Sequence, residues 1–102
     1  MDAEGAPPRI RREARLSAEA VFGPAALAAI LEPALVEAAG AGAVCVSVSL
    51  EFAGRPAPGS ALQIDAWVER ATRTLVFAAA EARAEGELAG AASAVFSLTD
   101  RR

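Results

Sequence analysis

The 102-residue chain contains no histidine, lysine, asparagine or tyrosine, and only one cysteine. Each absence removes a class of chemistry. Without His there is no imidazole base, no Ser-His-Asp or Cys-His arrangement and no His-ligated metal. Without Lys there is no P-loop and no Schiff base. Cys45, alone, makes no internal disulfide and no Cys-rich zinc site, and it fits a reducing compartment. Large side chains are scarce as well, with four Phe and one Trp against 28 Ala. The core is therefore expected to be thin and to gain from self-association. Net charge is −3, so the chain lacks the basic footprint of a nucleic-acid binder. Uncharged runs reach only 12 or 13 residues, short of the roughly 20 that span a bilayer. The opening MDAEGAPP is acidic and Pro-rich where a secretory signal would be basic and then apolar. A cytoplasmic protein without membrane contact is expected.

The length suits one domain. Residues 1–8 read as a flexible tail, 9–99 as the domain and 100–102 as a short C-terminal tail. Arg9 to Leu16 is an exposed strand candidate whose arginines 11, 12 and 15 read as a solvated face. Gly23-Pro24 marks a helix start, since a Pro at the first helical position loses no bond. Leu27, Leu31, Ala34, Leu35 and Ala38 then form one apolar stripe, and Gly40 and Gly42 end it. Pro33 interrupts this pattern and predicts a kink or break near residues 30–33. After Gly42 the period becomes two: Val44, Val46, Val48, Leu50 and Phe52 alternate with Cys45, Ser47, Ser49 and Glu51. The cluster from Gly54 to Ser60 is a turn. Leu62 to Glu69, Leu75 to Ala84 and Leu88 to Leu98 read as further strands, separated by turns at Arg70–Thr74 and Glu85-Gly86. Short connections predict antiparallel pairing of successive strands.

Three stretches in this order carry a family resemblance. Gly23 to Leu35, GPAALAAILEPAL, resembles a helix that opens on His-Gly-Gly and carries a carboxylate. Val46 to Gly59 is similar to a strand running into an Arg-Pro-Ala turn, and Gly86 to Leu98 resembles a closing hairpin. Together they resemble the hotdog-fold acyl-CoA thioesterases of the phenylacetate-pathway type. The resemblance implies an α+β fold with one central helix wrapped by a five- to six-stranded antiparallel sheet. It also implies a homodimer or homotetramer with sheets joined edge to edge and sites between subunits.

Carried over by position, the family's catalytic carboxylate falls on Glu32, as base or nucleophile, and its auxiliary hydroxyl on Ser47. The family His falls on Gly23 and the following Gly on Pro24, which has no N–H to offer a thioester carbonyl. The N–H groups of Ala25 and Ala26 are the expected substitutes. Gly23, Arg55 and Arg73 form the expected ligand-binding set, the arginines facing the phosphates of coenzyme A; Arg70 is a further candidate. Pro33 is expected to hold Glu32 away from helical dihedrals. Trp67, on the polar side of its strand, implies either a covered face or an imperfect alternation.

Each of these residues has a plain structural reading too: a capping or solvated Glu32, a surface Ser47, exposed turn arginines. The expected activity is hydrolysis of an acyl-CoA thioester without metal, coenzyme A entering as part of the substrate. The alternative is a catalytically inactive hotdog module that binds acyl-CoA or another acyl ligand. A hotdog dehydratase is disfavoured, because those enzymes resemble one another in using a His.

Overall fold

In a computed structural model the chain is described over residues 9–17 and 21–98. The tails expected at 1–8 and 100–102 lie outside these residues. The elements are β1 (Ile10–Arg15), α1 (Pro24–Ala39), β2 (Val44–Phe52), β3 (Ala61–Ala71), β4 (Leu75–Ala84) and β5 (Glu87–Ser97). The strands form one antiparallel sheet in the order β1-β3-β4-β5-β2, with α1 packed on one face.

Pro24 occupies the first turn of α1, and Leu27, Leu31, Ala34 and Leu35 are its buried stripe. At the far end Gly40, at φ 101°, donates its N–H to the Val36 carbonyl (3.1 Å). That left-handed conformation suits a residue without Cβ. The stripe rests on Leu62, Ile64 and Ala66 of β3, Val76, Ala78, Ala80 and Ala82 of β4, and Ala92, Ala94 and Phe96 of β5. Apart from Val76 and Phe96, the β4 and β5 members of this floor are all alanines, so bulk comes from the helix leucines, Leu62, Ile64 and Phe96. Burying Phe96 or one such leucine contributes roughly 1.5–3 kcal/mol.

Three expectations change. First, α1 runs unbroken through Pro33, and Glu32 keeps its place in the helix. Pro33 and Ala29, the residue whose carbonyl loses its partner, are both exposed, so water replaces the missing bond. Second, β2 and β3 are consecutive but unpaired. The connection after Phe52 carries the chain across the end of the sheet, and β2 joins the far edge beside β5. Third, the alternation along β2 is broken by a bulge between Cys45 and Ser47. Cys45 lies opposite Phe96, while Val44 lies opposite Ser97. The arginines of β1 are exposed, as expected, and in addition partnered: Arg11 with Asp65 (2.8 Å), Arg12 with Glu37 (3.0 Å) and Arg15 with the Gly59 carbonyl (2.7 Å).

The β3–β4 turn is closed by Thr72, whose hydroxyl accepts from the Leu75 N–H (3.0 Å). The β4–β5 turn places both Glu85 (φ 51°) and Gly86 (φ 83°) in the left-handed region that a two-residue hairpin of this kind demands.

Candidate functional site

The start of α1 is open. Gly23 caps it without a side-chain hydrogen bond, no acidic residue occupies its first turn, and the first helical bond runs from the Leu27 N–H to the Gly23 carbonyl (2.9 Å). The N–H groups of Ala25 and Ala26 precede any helical acceptor, and Pro24 contributes none. Together with the helix dipole, about half a positive charge at this end, they favour a negatively charged or polarised oxygen.

This helix start opens onto a cleft of about 450 Å³ lined by Phe22, Gly23, Pro24, Phe52, Ala53, Gly54 and Arg55. Phe22 and Phe52 meet edge to face, ring centres 5.9 Å apart and planes at 89°. Such a pair is worth about 0.5–1.5 kcal/mol beyond its buried area. The opposite wall is held by two backbone bonds, from the Ala53 and Gly54 N–H groups to the Ala89 carbonyl (3.0 and 3.1 Å). The cleft thus combines an apolar aromatic wall and one guanidinium beside the uncapped helix start, and it suits a ligand with an apolar end and an anionic one.

Of the residues singled out in the sequence, Gly23, Pro24 and Arg55 converge here, beside the N–H groups of Ala25 and Ala26. Glu32 does not line the cleft. It is exposed, eight residues beyond Pro24, or about 12 Å further along the axis. Ser47 pairs with Val95, on the face turned away from the buried Phe96 and hence from α1. There it lines a shallow groove with Ser49, Glu69, Phe77 and Ser93. Arg73 lies in the exposed β3–β4 turn, and Arg70 stacks on Phe77 at 4.7 Å. Trp67 is half-buried under the Arg9 guanidinium, 4.2 Å from the ring centre. Sequence reading passed over Phe22, yet an aromatic just before a helix cap is a recognisable entry signal. Phe52 read as one more core residue, though it is 47% exposed at the mouth of the cleft.

Among the described residues no group of three or more Cys, Asp or Glu is placed to hold a metal ion. None of the described helices is long and apolar enough to cross a membrane.

Comparison with known proteins supplies the family. A search of curated proteins finds no match. Among solved structures, thioesterase superfamily member 2 from zebra fish superposes with a TM-score of 0.80 at 20% identity, covering 92% of this chain and 77% of that one. The TT0310 protein of Thermus thermophilus gives 0.80 at 17% identity, covering 92% and 86%. A hypothetical thioesterase from Streptococcus pneumoniae, solved with coenzyme A, gives 0.79 at 11% identity, covering 95% and 83%. These likenesses establish the hotdog fold. The family model described as the acyl-CoA thioesterase N-terminal domain matches residues 12–97, most of the sequence. A helix on a five-stranded antiparallel sheet, an open helix start over an aromatic cleft and this match together place the chain in the acyl-CoA thioesterase domain family.

Proposed function

We propose that the protein hydrolyses an acyl-CoA thioester in the cleft at the start of α1. The observation that carries this reading is the uncapped helix end, with the N–H groups of Ala25 and Ala26 beside Arg55 and the Phe22–Phe52 wall. The acyl group lies on the aromatic wall. Its carbonyl oxygen accepts from the Ala25 and Ala26 N–H groups. Arg55 meets coenzyme A phosphates; Arg73, in the β3–β4 turn at the other end of the sheet, reaches this cleft only if a second copy supplies it. Glu32 takes a proton from water as the water oxygen bonds to the carbonyl carbon. The resulting oxyanion is held by the helix start. On its collapse the C–S bond breaks, and the proton passes from Glu32 to the departing thiolate. The reading needs no metal and no cofactor beyond the coenzyme A of the substrate.

A base must approach its proton within about 3 Å, and Glu32 is about 12 Å along the helix from Pro24 of its own chain. The site is therefore proposed to form between two chains, Glu32 of one copy serving the helix start of the other. The unpaired edge of β2 is the proposed seam. It carries exposed Val44, Val46, Val48 and Phe52 (60, 60, 42 and 47% accessible), as an edge awaiting another strand does. Ser47 is on this same edge strand but on the face turned away from α1, so it takes no part in this step. Two such dimers forming a tetramer would leave the site unchanged.

Thiol release from a panel of acyl-CoAs tests the reading, with wild type and Glu32→Gln compared. Turnover by wild type that falls about 10²–10⁴-fold in the variant is the expected result for a lost general base. Full activity in Glu32→Gln refutes the assignment. One observation favours a second reading, a binding module without catalysis: Pro24 removes an N–H at the helix start. That reading predicts stabilisation against heat by acyl-CoA with no thiol released by either protein.

A further inference from the structure

We propose that Gly90 of β5 is a positioning residue, setting the height of the α1 start above the sheet and hence the placement of the Ala25 and Ala26 N–H groups. The inference rests on the thioester reading above. Gly90 is buried where the helix and the cleft wall meet. It pairs with Phe52 on one side and Ala82 on the other. The residue before it, Ala89, accepts the N–H groups of Ala53 and Gly54. Above it sits Leu27, fully buried, whose N–H closes the first turn of the helix.

A Cβ at position 90 would lie 2.8 and 3.0 Å from the two Cδ atoms of Leu27 and 3.2 Å from the Glu51 carbonyl oxygen. Carbon atoms in contact prefer about 3.5–4.0 Å. A methyl group here therefore needs roughly 0.7–1.2 Å of room towards Leu27. The atoms met are the tips of the Leu27 side chain, but Leu27 is fully buried and has little room to turn aside, so the shift is passed to the first turn. Its three preceding residues are Pro24, which lines the cleft, and Ala25 and Ala26, which follow it in the first turn. An error of about 1 Å in a group that must meet a reacting atom costs on the order of 10²-fold in rate. The oxyanion contact is strongest in the transition state, so the loss falls on kcat rather than KM.

Three proteins test this: Gly90→Ala, the double variant Gly90→Ala/Leu27→Val, which lacks both clashing Cδ atoms, and wild type. Each is assayed for acyl-CoA hydrolysis, and the amide resonances of Ala25 and Ala26 are recorded without ligand. The expected result is a folded Gly90→Ala protein with shifted Ala25 and Ala26 amides, kcat lower by about 10²-fold, KM nearly unchanged, and both features restored in the double variant. Unmoved amides, or unchanged kcat in folded Gly90→Ala, overturn the proposal. If Gly90→Ala does not fold, the double variant decides: wild-type kcat supports positioning through Leu27, and low kcat with Ala25 and Ala26 amides at their wild-type positions refutes it. A wild type that releases no thiol fails the thioester reading instead, and the amide positions still judge Gly90.

Discussion

Replacing Pro33 by Ala isolates the cost of running α1 through a proline. Pro is about 3 kcal/mol less favourable than Ala in a helix interior. Part of that returns through the unfolded chain, which Pro stiffens by about 0.4–1 kcal/mol. Both Pro33 and Ala29 are exposed, so neither packing nor a buried unpaired carbonyl adds to the balance. The net expectation is about 2 kcal/mol of added stability. At about 4–8 °C per kcal/mol for a domain near this size, Tm rises by roughly 8–16 °C. The assay is thermal and urea unfolding of both proteins at one fixed concentration, because self-association would otherwise move the midpoint. Hydrolytic activity should not change, since Glu32 already occupies a helical turn. A Tm equal to or below that of wild type refutes the reasoning. It would mean that α1 is broken at Pro33 and that Ala merely lengthens a helix no contact supports.

Other expectations follow from single contacts. Glu85→Asn places a residue tolerant of positive φ in the β4–β5 turn and should stabilise by about 0.5–1 kcal/mol in chemical denaturation. Val46→Glu puts a charge on the exposed bulge of the β2 edge. It should leave the chain folded, by circular dichroism, while light scattering shows loss of the proposed dimer; a dimer unaltered by the change moves the proposed seam elsewhere. The Arg11–Asp65 pair joins a side chain 64% exposed to one 13% exposed. A double-mutant cycle should give a coupling of only about 0.5–1 kcal/mol, decreasing with added salt.

Local pattern carried most of the secondary structure. The 3.6-residue stripe between Gly23-Pro24 and Gly40 delimits α1, period-two alternation finds β2 and β3, and β4 and β5 are read from Val76, Phe77, Phe96 and Leu98 among alanines. What escaped it depends on partners distant in sequence. The bulge in β2 exists only relative to β5, and VCVSVSLEF alone reads as a straight strand. Likewise the crossing from β2 to β3 follows from where each strand finds its edge, which no turn residue encodes. Arg11, Arg12 and Arg15 are exposed as their pattern implied, but their partners Asp65, Glu37 and Gly59 were not legible, lying 54, 25 and 44 positions away. At the site, the helix start and Arg55 were legible as motifs. The Phe22–Phe52 wall was not, because it forms between the residue before a helix cap and the last residue of an edge strand.

The sheet order also prescribes a sequence of events. β3, β4 and β5 form a meander closed by two tight turns, at residues 72–74 and 85–86, so their pairing needs little chain to be ordered first. β1 must instead find β3 from far along the chain, with Arg11 opposite Asp65, and β2 must find β5 around the outside of that meander. Closing long loops before contacts reward them is slow. The meander is therefore the expected nucleus, with the two edges added late. A better β4–β5 turn in Glu85→Asn should then speed folding more than it slows unfolding, whereas weakening the Arg11–Asp65 pair should act chiefly on the unfolding rate. Since Phe52 and the start of α1 are assembled on that late edge, the cleft is completed last and opens first.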